Sequence, residues 1–315
     1  YTGEDTLSLH DALPIYFKET PLADSLGAAL DEIKIKGDVS ARLHLDIPLN
    51  GKMTTAQGNV RLQDNTLLIK PLNSTLSHVS GTFRFTNGEL HSDPLQATWF
   101  NQPVNLDFFT TEGEKSYQVR VNLSGAWQSD KTGVLPAAIS EKLQGEIPWQ
   151  GKVAVDLPHH GEATYQVGIT SDLKSVSSHL PLPADKASGQ SVPLVITASG
   201  DMKGFTLTGN LGADNHFNSH WLLRQKLTLD RAIWATDSRS VPPLPDHEGV
   251  ELNLPALDGA QWLAVLRQDD VDTVSHNASF PDSLTLRTPA LTFGGQTWNN
   301  LSLVVRPVED RKSTR

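Results

Sequence analysis

Residues 26–48 read LGAALDEIKIKGDVSARLHLDIP, and most of this stretch alternates between apolar and polar side chains. Small or apolar residues take every second place from Ile33 to Ile47, and Lys, Asp, Ser, Arg and His lie between them. A period of two residues is typical of a β-strand with one apolar and one wet face. At about 3.3 Å per residue the run would reach about 50 Å, so we expect a long curved strand or a break at Gly37.

The pattern returns roughly 110 residues later, which predicts an array of similar units that contact mainly their neighbours. Residues 135–158 read LPAAISEKLQGEIPWQGKVAVDLP, again a short helix candidate that leads into a strand. The two ends of the chain resemble translated sequencing adapter, and we predict that they are foreign to the fold. The predicted division is 1–15 non-native, 16–131 first helix-plus-strands repeat, 132–257 second repeat, 258–308 start of a third repeat, and 309–315 non-native tail.

Local signals place turns and helices within these units. Asn87-Gly88, between alternating apolar residues, predicts a tight β-hairpin. Asp64-Asn65 predicts a turn between two strands. Asp258 predicts the N-cap of a helix that carries Trp262 and Leu266, and a further short helix is expected after Thr20-Pro21.

Composition excludes several classes of protein. The chain has 315 residues, a net charge of −10 and no cysteine, so it lacks disulfides and the excess of Lys and Arg that nucleic-acid binding needs. No apolar run approaches the roughly 18 residues that span a bilayer. No catalytic or cofactor motif is present, and we predict neither an enzyme nor a cofactor. His216 and His220 have a metal-like spacing, but their stretch is predicted to be strand and turn, where that spacing does not bring two ligands together.

So many one-sided strands must hide their apolar faces from water. A second sheet could cover them, stacked units could cover one another, or the sheet could curve around a ligand as an open groove. The seven tryptophans, spread along the chain, favour packing within the sheet over a sugar-binding platform. The alternation of apolar and polar residues does not decide whether a second sheet, a neighbouring unit or a ligand covers the apolar faces.

Longer stretches of sequence resemble a known family. They are YFKETPL (16–22), ARLHLDIPLNG (41–51), WFNQP (99–103), GADNHFN (212–218) and LTLDRAIWA (227–235). They are similar to an internal segment of the AsmA-like, TamB-related proteins of the Gram-negative envelope. The resemblance implies a mostly β fold, an extended twisted antiparallel sheet curved into a hydrophobic groove, with a few short helices at repeat starts. It also implies the periplasmic part of an inner-membrane-anchored protein that bridges the inner and outer membranes.

The implied cargo is phospholipid, whose acyl chains would lie in the groove while the headgroups stay in water. The other implied partners are neighbouring repeats of the same chain and the two membranes, with no nucleic acid. The alternative is a scaffold array with a closed apolar core that binds proteins, and a glycan hydrolase with paired carboxylates is a distant third. The predicted groove-lining residues are Ile33, Ile35, Val39, Leu43, Leu45, Phe83, Phe85, Val119, Val121, Leu123, Val153, Val155, Val167 and Ile169.

Overall fold

A computed structural model describes residues 33–46, 55–69, 74–131, 135, 137–267 and 278–306. The predicted helix after Thr20-Pro21 and both predicted foreign ends lie outside these residues. Strands dominate the described part, and its helices are short, as the sequence predicted. No helix among the described residues is long and apolar enough to cross a membrane.

The elements follow one another in chain order, and most are strands. The first ten strands are β1 (Ile33–Lys36), β2 (Val39–Asp46), β3 (Thr55–Ile69), β4 (Ser74–Thr86), β5 (Glu89–Ser92), β6 (Leu95–Trp99), β7 (Gln102–Glu112), β8 (Ser116–Gln128), β9 (Leu143–Gln144) and β10 (Glu146–Pro158). The remaining strands are β11 (Thr164–Ser171), β12 (Ser177–Ser178), β13 (Leu194–Asp201), β14 (Gly204–Leu211), β15 (Asn215–Leu223), β16 (Leu227–Ala235), β17 (Gly249–Asn253), β18 (Leu257–Asp258), β19 (Ala278–Ser279), β20 (Leu284–Phe293) and β21 (Gln296–Val305). The helices are a 3₁₀ turn (Ser129–Lys131), α1 (Ala137–Ser140) and α2 (Gly259–Leu266).

The chain divides into two compact units. Unit 1 comprises residues 1–127 and 149–167, and unit 2 comprises 128–148 and 168–315. The repeat boundaries drawn from the sequence stay a prediction.

Unit 1 is an antiparallel meander in which strands pair in chain order. β1 and β2 pair with β3, β3 pairs with β4, and β4 pairs with β5 and β6. β7 pairs with β5, β6 and β8, and β8 pairs with β10. Gly37, at φ +100°, separates β1 from β2, so of the two expectations for this stretch the structure has the break. Asn87-Gly88 closes the predicted hairpin between β4 and β5.

The turn predicted at Asp64-Asn65 is wrong, because β3 continues through both residues as a bulged strand. The fully buried Asn65 accounts for the bulge. Its amide nitrogen donates to the carbonyl oxygens of Lys36 (3.2 Å) and Asp38 (3.0 Å), and its amide oxygen accepts from the backbone N–H of Gln63 (2.7 Å). An Asn that looks like turn chemistry in the sequence therefore bonds to backbone groups beside the β1–β2 break.

Unit 2 combines antiparallel and parallel pairing. β13, β14, β15 and β16 form an antiparallel meander, and β20 and β21 form a hairpin. β16 pairs in parallel with β17 and β19, and β20 pairs in parallel with β17 and β18. The sheet of this unit is thus mixed, whereas the prediction was antiparallel throughout. Helix α2 begins as predicted, with the Asp258 carboxylate accepting from the N–H groups of Ala260 and Gln261 at 3.0 Å.

Candidate functional site

The apolar side chains of unit 1 share one face of its sheet. Directly paired residues of antiparallel strands point to the same face, and the register pairs Leu43 with Gly58, Gly58 with Phe85, and Phe108 with Val121. We call this surface the unit 1 apolar face. On β2 to β6 it consists of Val39, Ala41, Leu43, Ala56, Gly58, Val60, Leu62, Phe83, Phe85, Leu90, Ser92, Leu95 and Ala97. On β7 to β10 it consists of Val104, Leu106, Phe108, Thr110, Tyr117, Val119, Val121, Leu123, Gly125, Trp127, Trp149 and Gly151.

The structure brings most of the predicted groove residues of β2, β4 and β8 together on this face. They are Val39, Leu43, Phe83, Phe85, Val119, Val121 and Leu123. Leu45 pairs with Ala56 and belongs to the same register, although its side chain is not described. On β10, Val153 and Val155 alternate in phase with Gly151, which lies against the Leu123 side chain.

The remaining predicted groove residues are not tied to the unit 1 apolar face by strand register. Ile33 and Ile35 pair with Ile69 and Leu67, on the far side of the β3 bulge. Val167 belongs to unit 1 and Ile169 to unit 2, and both are half-buried residues of β11. Whether any of these residues contacts lipid stays a prediction.

Burial on the unit 1 apolar face falls from its middle to its edge. Val60 and Phe85, on strands β3 and β4, which are paired on both sides, are 1% and 3% exposed. Leu43, on strand β2, is 50% exposed. A large aliphatic side chain left half in water gives up part of the roughly 1.5–3 kcal/mol that full burial would contribute. The apolar face is therefore buried on β3 and β4 and exposed at its edge on β2.

Three tryptophans show that this face is concave. Trp99, Trp127 and Trp149 lie on β6, β8 and β10, and strands β6 and β10 would be about 14 Å apart in a flat sheet. Their ring centroids are nevertheless 5.8 Å apart for Trp99–Trp127, 4.9 Å for Trp127–Trp149 and 6.4 Å for Trp99–Trp149. Side chains converge in this way on the inner side of a curved sheet. No pattern in the sequence indicates that tryptophans so far apart in the chain would meet.

Glycines on the apolar face make room for aromatic rings. A Cβ on Gly58 would lie 2.7 Å from Cζ of Phe85, and one on Gly125 would lie 2.7 Å from Nε1 of Trp149. In unit 2, a Cβ on Gly209 would lie 2.5 Å from Cζ of Phe217. These rings lie directly against the backbone of the neighbouring strand, at positions where a larger side chain would collide with them. The usable signal in the sequence is a glycine at an apolar position of an alternating strand.

The strand ends of unit 1 form two different margins. We call the first the aromatic rim, made of Ser74, Trp99, Phe100, Trp127 and Trp149, at the β6–β7 turn and the neighbouring strand ends. We call the second the acidic rim. It lies at the opposite strand ends and is made of Glu89, Glu112, Glu114, Lys115, His159, His160 and Glu162. Its internal contacts include a 2.9 Å pair between His159 Nε2 and Glu112 Oε1.

Tyr117 anchors the apolar face beside the acidic rim. Its hydroxyl is fully buried, donates to the carbonyl oxygen of Gly88 (2.7 Å) and lies 2.7 Å from Oγ1 of Thr110. Burial raises the pKa of Tyr117 to about 12; the Thr110 contact opposes this rise, and the charges of Glu112 and Glu89 add to it. This tyrosine is therefore a neutral structural group at physiological pH.

Unit 2 presents an apolar face of its own. Its register pairs Phe205 with Trp221 and Phe217 with Trp234, and both pairs stack, with centroids 6.1 Å and 5.4 Å apart. We call this surface the unit 2 apolar face. It consists of Leu194, Ile196, Ala198, Phe205, Leu207, Gly209, Leu211, Phe217, Ser219, Trp221, Leu223, Leu227, Leu229, Ala232 and Trp234.

The opposite face of unit 2 is polar and is joined to a proline-rich segment. Asn218 donates to the carbonyl oxygen of Pro242 (2.9 Å), and Arg231 donates to that of Pro245 (3.2 Å). His220 Nδ1 lies 2.9 Å from Asp230, and this contact, with help from Arg231, holds the pKa of the Asp230 carboxyl below its usual range. Nδ1 of His220 is thus engaged by Asp230, and no metal-binding cluster of three or more His, Cys, Asp or Glu occurs among the described residues.

Comparison with known proteins gives the family. The family model described as YhdP protein matches residues 6–315. The chain belongs to the YhdP family. Over 292 residues it is 58% identical to the intermembrane phospholipid transporter YhdP of Escherichia coli (strain K12). This alignment covers 93% of the chain but 23% of that relative, so the chain spans about a quarter of the relative's length. No solved structure matches this YhdP-family chain.

Proposed function

We propose that this chain is a periplasmic segment of a protein that carries phospholipid between the inner and outer membranes of a Gram-negative envelope. The apolar faces of units 1 and 2 would hold the acyl chains. The observation that carries the proposal is the unit 1 apolar face, which is concave, continuous over many strands and open at its margin. The name of the 58% identical relative supports phospholipid as the cargo.

The chemistry of the face suits acyl chains that must slide. Each methylene removed from water contributes about 0.8 kcal/mol, and such contacts have no directional requirement. Serine and threonine hydroxyls on the face are already engaged; Ser92 accepts from the N–H of Phe108, and Thr110 accepts from the N–H of Leu90. An acyl chain would therefore meet few free hydrogen-bonding groups. We assign no reaction to the chain, since binding and guidance are sufficient for this role.

The rival function is a scaffold whose apolar faces are packed shut. Phe108 and Phe109 offer a matched test because they are consecutive in β7 and point to opposite faces. We would replace each in turn by a photoreactive phenylalanine analogue in the full-length protein in cells, irradiate, and identify crosslinked lipid by mass spectrometry.

Phospholipid captured at position 108 and not at 109 supports the proposal. Exposure alone would give the opposite result, because Phe109 is 41% exposed whereas Phe108 is half-buried. Failure to capture lipid at 108 in a folded protein would contradict the proposal and favour the scaffold.

A further inference from the structure

The two rims of unit 1 differ in charge, and a phospholipid has a charged end. Glu89, Glu112, Glu114 and Glu162 lie on the acidic rim, and Lys115 is the lysine beside them. The strand ends at the aromatic rim carry uncharged side chains from Thr98 to Pro103. At the same strand ends, β8 leads into the exposed Asp130 and Lys131, whose charges cancel, and β10 begins at the exposed Glu146. Lys34 and Lys36 of β1 are also exposed and pair with the last residues of β3.

We propose that a phospholipid in unit 1 lies with its acyl chains on the apolar face and its glycerol and phosphate at the aromatic rim, away from the acidic rim. This inference rests on the proposed function and adds the orientation of the lipid. The phosphate is an anion at any physiological pH, so carboxylates at the acidic rim repel it, while the aromatic rim offers neutral, amphipathic side chains.

Indole rings favour the boundary between hydrocarbon and water because they combine an apolar body with one N–H donor. Nε1 of Trp99 donates to Oγ of Ser74 (2.7 Å), and Nε1 of Trp127 donates to the carbonyl oxygen of Pro103 (2.9 Å). Nε1 of Trp149 is buried and has no acceptor among the described residues, and the whole residue is only 7% exposed. An unpaired buried donor costs about 1–3 kcal/mol, and an ester or phosphate oxygen is an acceptor that would satisfy it.

Phe100 adds a second, independent observation. It occupies the left-handed region at φ +49° in the β6–β7 turn, where a bulky side chain is disfavoured, and it is 45% exposed. Its ring lies 5.0 Å from that of Trp99 and 6.1 Å from that of Trp127. Exposure of the Phe100 ring to water does not stabilise the fold. The ring does extend the apolar surface of the tryptophans, over which a lipid would pass.

The test uses two photoreactive phospholipids on the full-length protein. One phosphatidylethanolamine carries a diazirine at the end of an acyl chain, and the other carries it on the headgroup amine. After irradiation, labelled peptides are mapped by mass spectrometry. We expect the acyl probe to label residues of the apolar face such as Phe83 and Phe108, and the headgroup probe to label residues 99–103 rather than 112–116.

A charge reversal provides a variant that should leave folding intact. Glu89 is the exposed first residue of β5 and Glu114 is an exposed residue between β7 and β8. Glu89→Lys with Glu114→Lys should raise headgroup labelling at 112–116 by about twofold to fivefold, the range expected for exposed charges. The matched control is Glu162→Gln, which removes one charge without adding a cation.

The outcomes separate the two proposals. Suppose that the acyl probe labels the apolar face but the headgroup probe labels the acidic rim at least as strongly as the aromatic rim. This result would overturn the proposed orientation and leave the transport function standing. Absence of acyl labelling on the apolar face would overturn both. Acyl labelling with headgroup labelling confined to the aromatic rim, and shifted by the reversal, supports both.

Discussion

At the residue scale, glycines under aromatic rings set the depth of the apolar faces. In unit 1, a Cβ on Gly58 would collide with the carbonyl oxygen of Arg42 and would lie 2.7 Å from the ring of Phe85. The first of these atoms belongs to the backbone, which cannot swing away as a side chain can. The role of this glycine is therefore to allow two strands and a ring to approach closely.

We expect Gly58→Ala to lower the free energy of unfolding by about 1–3 kcal/mol, the usual cost of overpacking. The control is Gly168→Ala, because a Cβ at Gly168 would have nothing within 4 Å, and its effect should stay within about 0.5 kcal/mol. Chemical denaturation of the purified protein, followed by tryptophan fluorescence, measures both. Equal stability of the two variants would show that the ring and backbone can relax around a methyl group.

Tyr117 predicts a pH dependence of stability. Its folded-state pKa of about 12 lies above the ordinary tyrosine pKa of 10.0, so the folded state prefers the protonated phenol. Its contribution is fully present below pH 10 and is lost as the pH rises towards 12, at about 1.4 kcal/mol per pH unit. Tyr117→Phe should remove this slope while costing about 1 kcal/mol at neutral pH for the lost hydrogen bond.

The measurement is the difference in unfolding free energy between wild type and Tyr117→Phe from pH 8 to pH 12. Other tyrosines and lysines titrate in both proteins and cancel in that difference. We expect the difference to shrink above pH 10 and to change sign by about pH 11, because a loss of about 1.4 kcal/mol per pH unit soon exceeds the roughly 1 kcal/mol contributed by the hydrogen bond. A difference that stayed constant across the range would mean that the hydroxyl ionises as easily in the folded protein as in the unfolded chain.

At the element scale, β8 carries the clearest contrast between the two sheet faces. Val121 is half-buried on the apolar face, and the neighbouring Asn122 points to the other face, where it donates to Asp107 at 2.8 Å. On an open face an introduced carboxylate can stay hydrated, whereas in a closed core it would cost several kcal/mol. Substitution at these two adjacent positions therefore separates a groove from a core.

We expect Val121→Asp to fold and to reduce phospholipid delivery to the outer membrane by about tenfold or more, since a charge on the path would have to be crossed by every acyl chain. Asn122→Lys, which places a charge on the other face directly opposite Asp107 and of opposite sign to it, should leave delivery unchanged. Delivery can be followed as labelled phospholipid that reaches the outer membrane in cells that depend on this protein. Loss of folded protein in Val121→Asp, seen by protease sensitivity, would instead support the closed scaffold.

The turn and capping residues correctly predicted those elements that depend on neighbouring residues in the sequence. The Asn87-Gly88 hairpin and the Asp258 N-cap each depend on a few adjacent residues, and both are confirmed. At Gly37 the sequence left a long curved strand and a break open, and the structure has the break. The bulge at Asn65 was missed because its side chain bonds to Lys36 and Asp38, more than 25 residues away. Parallel pairing of β16 with β17 was missed for a similar reason, since alternation fixes which face is apolar but not the direction of the partner strand.

The candidate site was only partly predictable from the sequence. Period-two alternation placed Val119, Val121 and Leu123 on a common face, and the register agrees. The convergence of Trp99 and Trp149 could not be read from sequence, because it depends on the curvature of strands between them. Curvature is a property of the packed sheet, and no single strand encodes it.

At the scale of the whole molecule, the two apolar faces raise the question of whether lipid passes over both. Unit 1 and unit 2 each carry one face, with Val121 half-buried on the first and Leu207 half-buried on the second. If one lipid path runs along the chain, the faces act in series, and a block at either is sufficient. If each face carries lipid independently, blocking one face leaves the flux over the other, and only the double variant loses both.

We therefore expect Val121→Asp and Leu207→Asp each to reduce phospholipid delivery by about tenfold or more, and the double variant to be no worse than the stronger single variant. Two positions on one obligatory path fail to add. Thr208→Asp, on the opposite face of β14 next to Leu207, is the control in unit 2 and should transport normally. Two mild single defects of about twofold, combined with a much larger defect in the double variant, would argue against a shared path, because fluxes over independent faces add and each face would carry only part of the total.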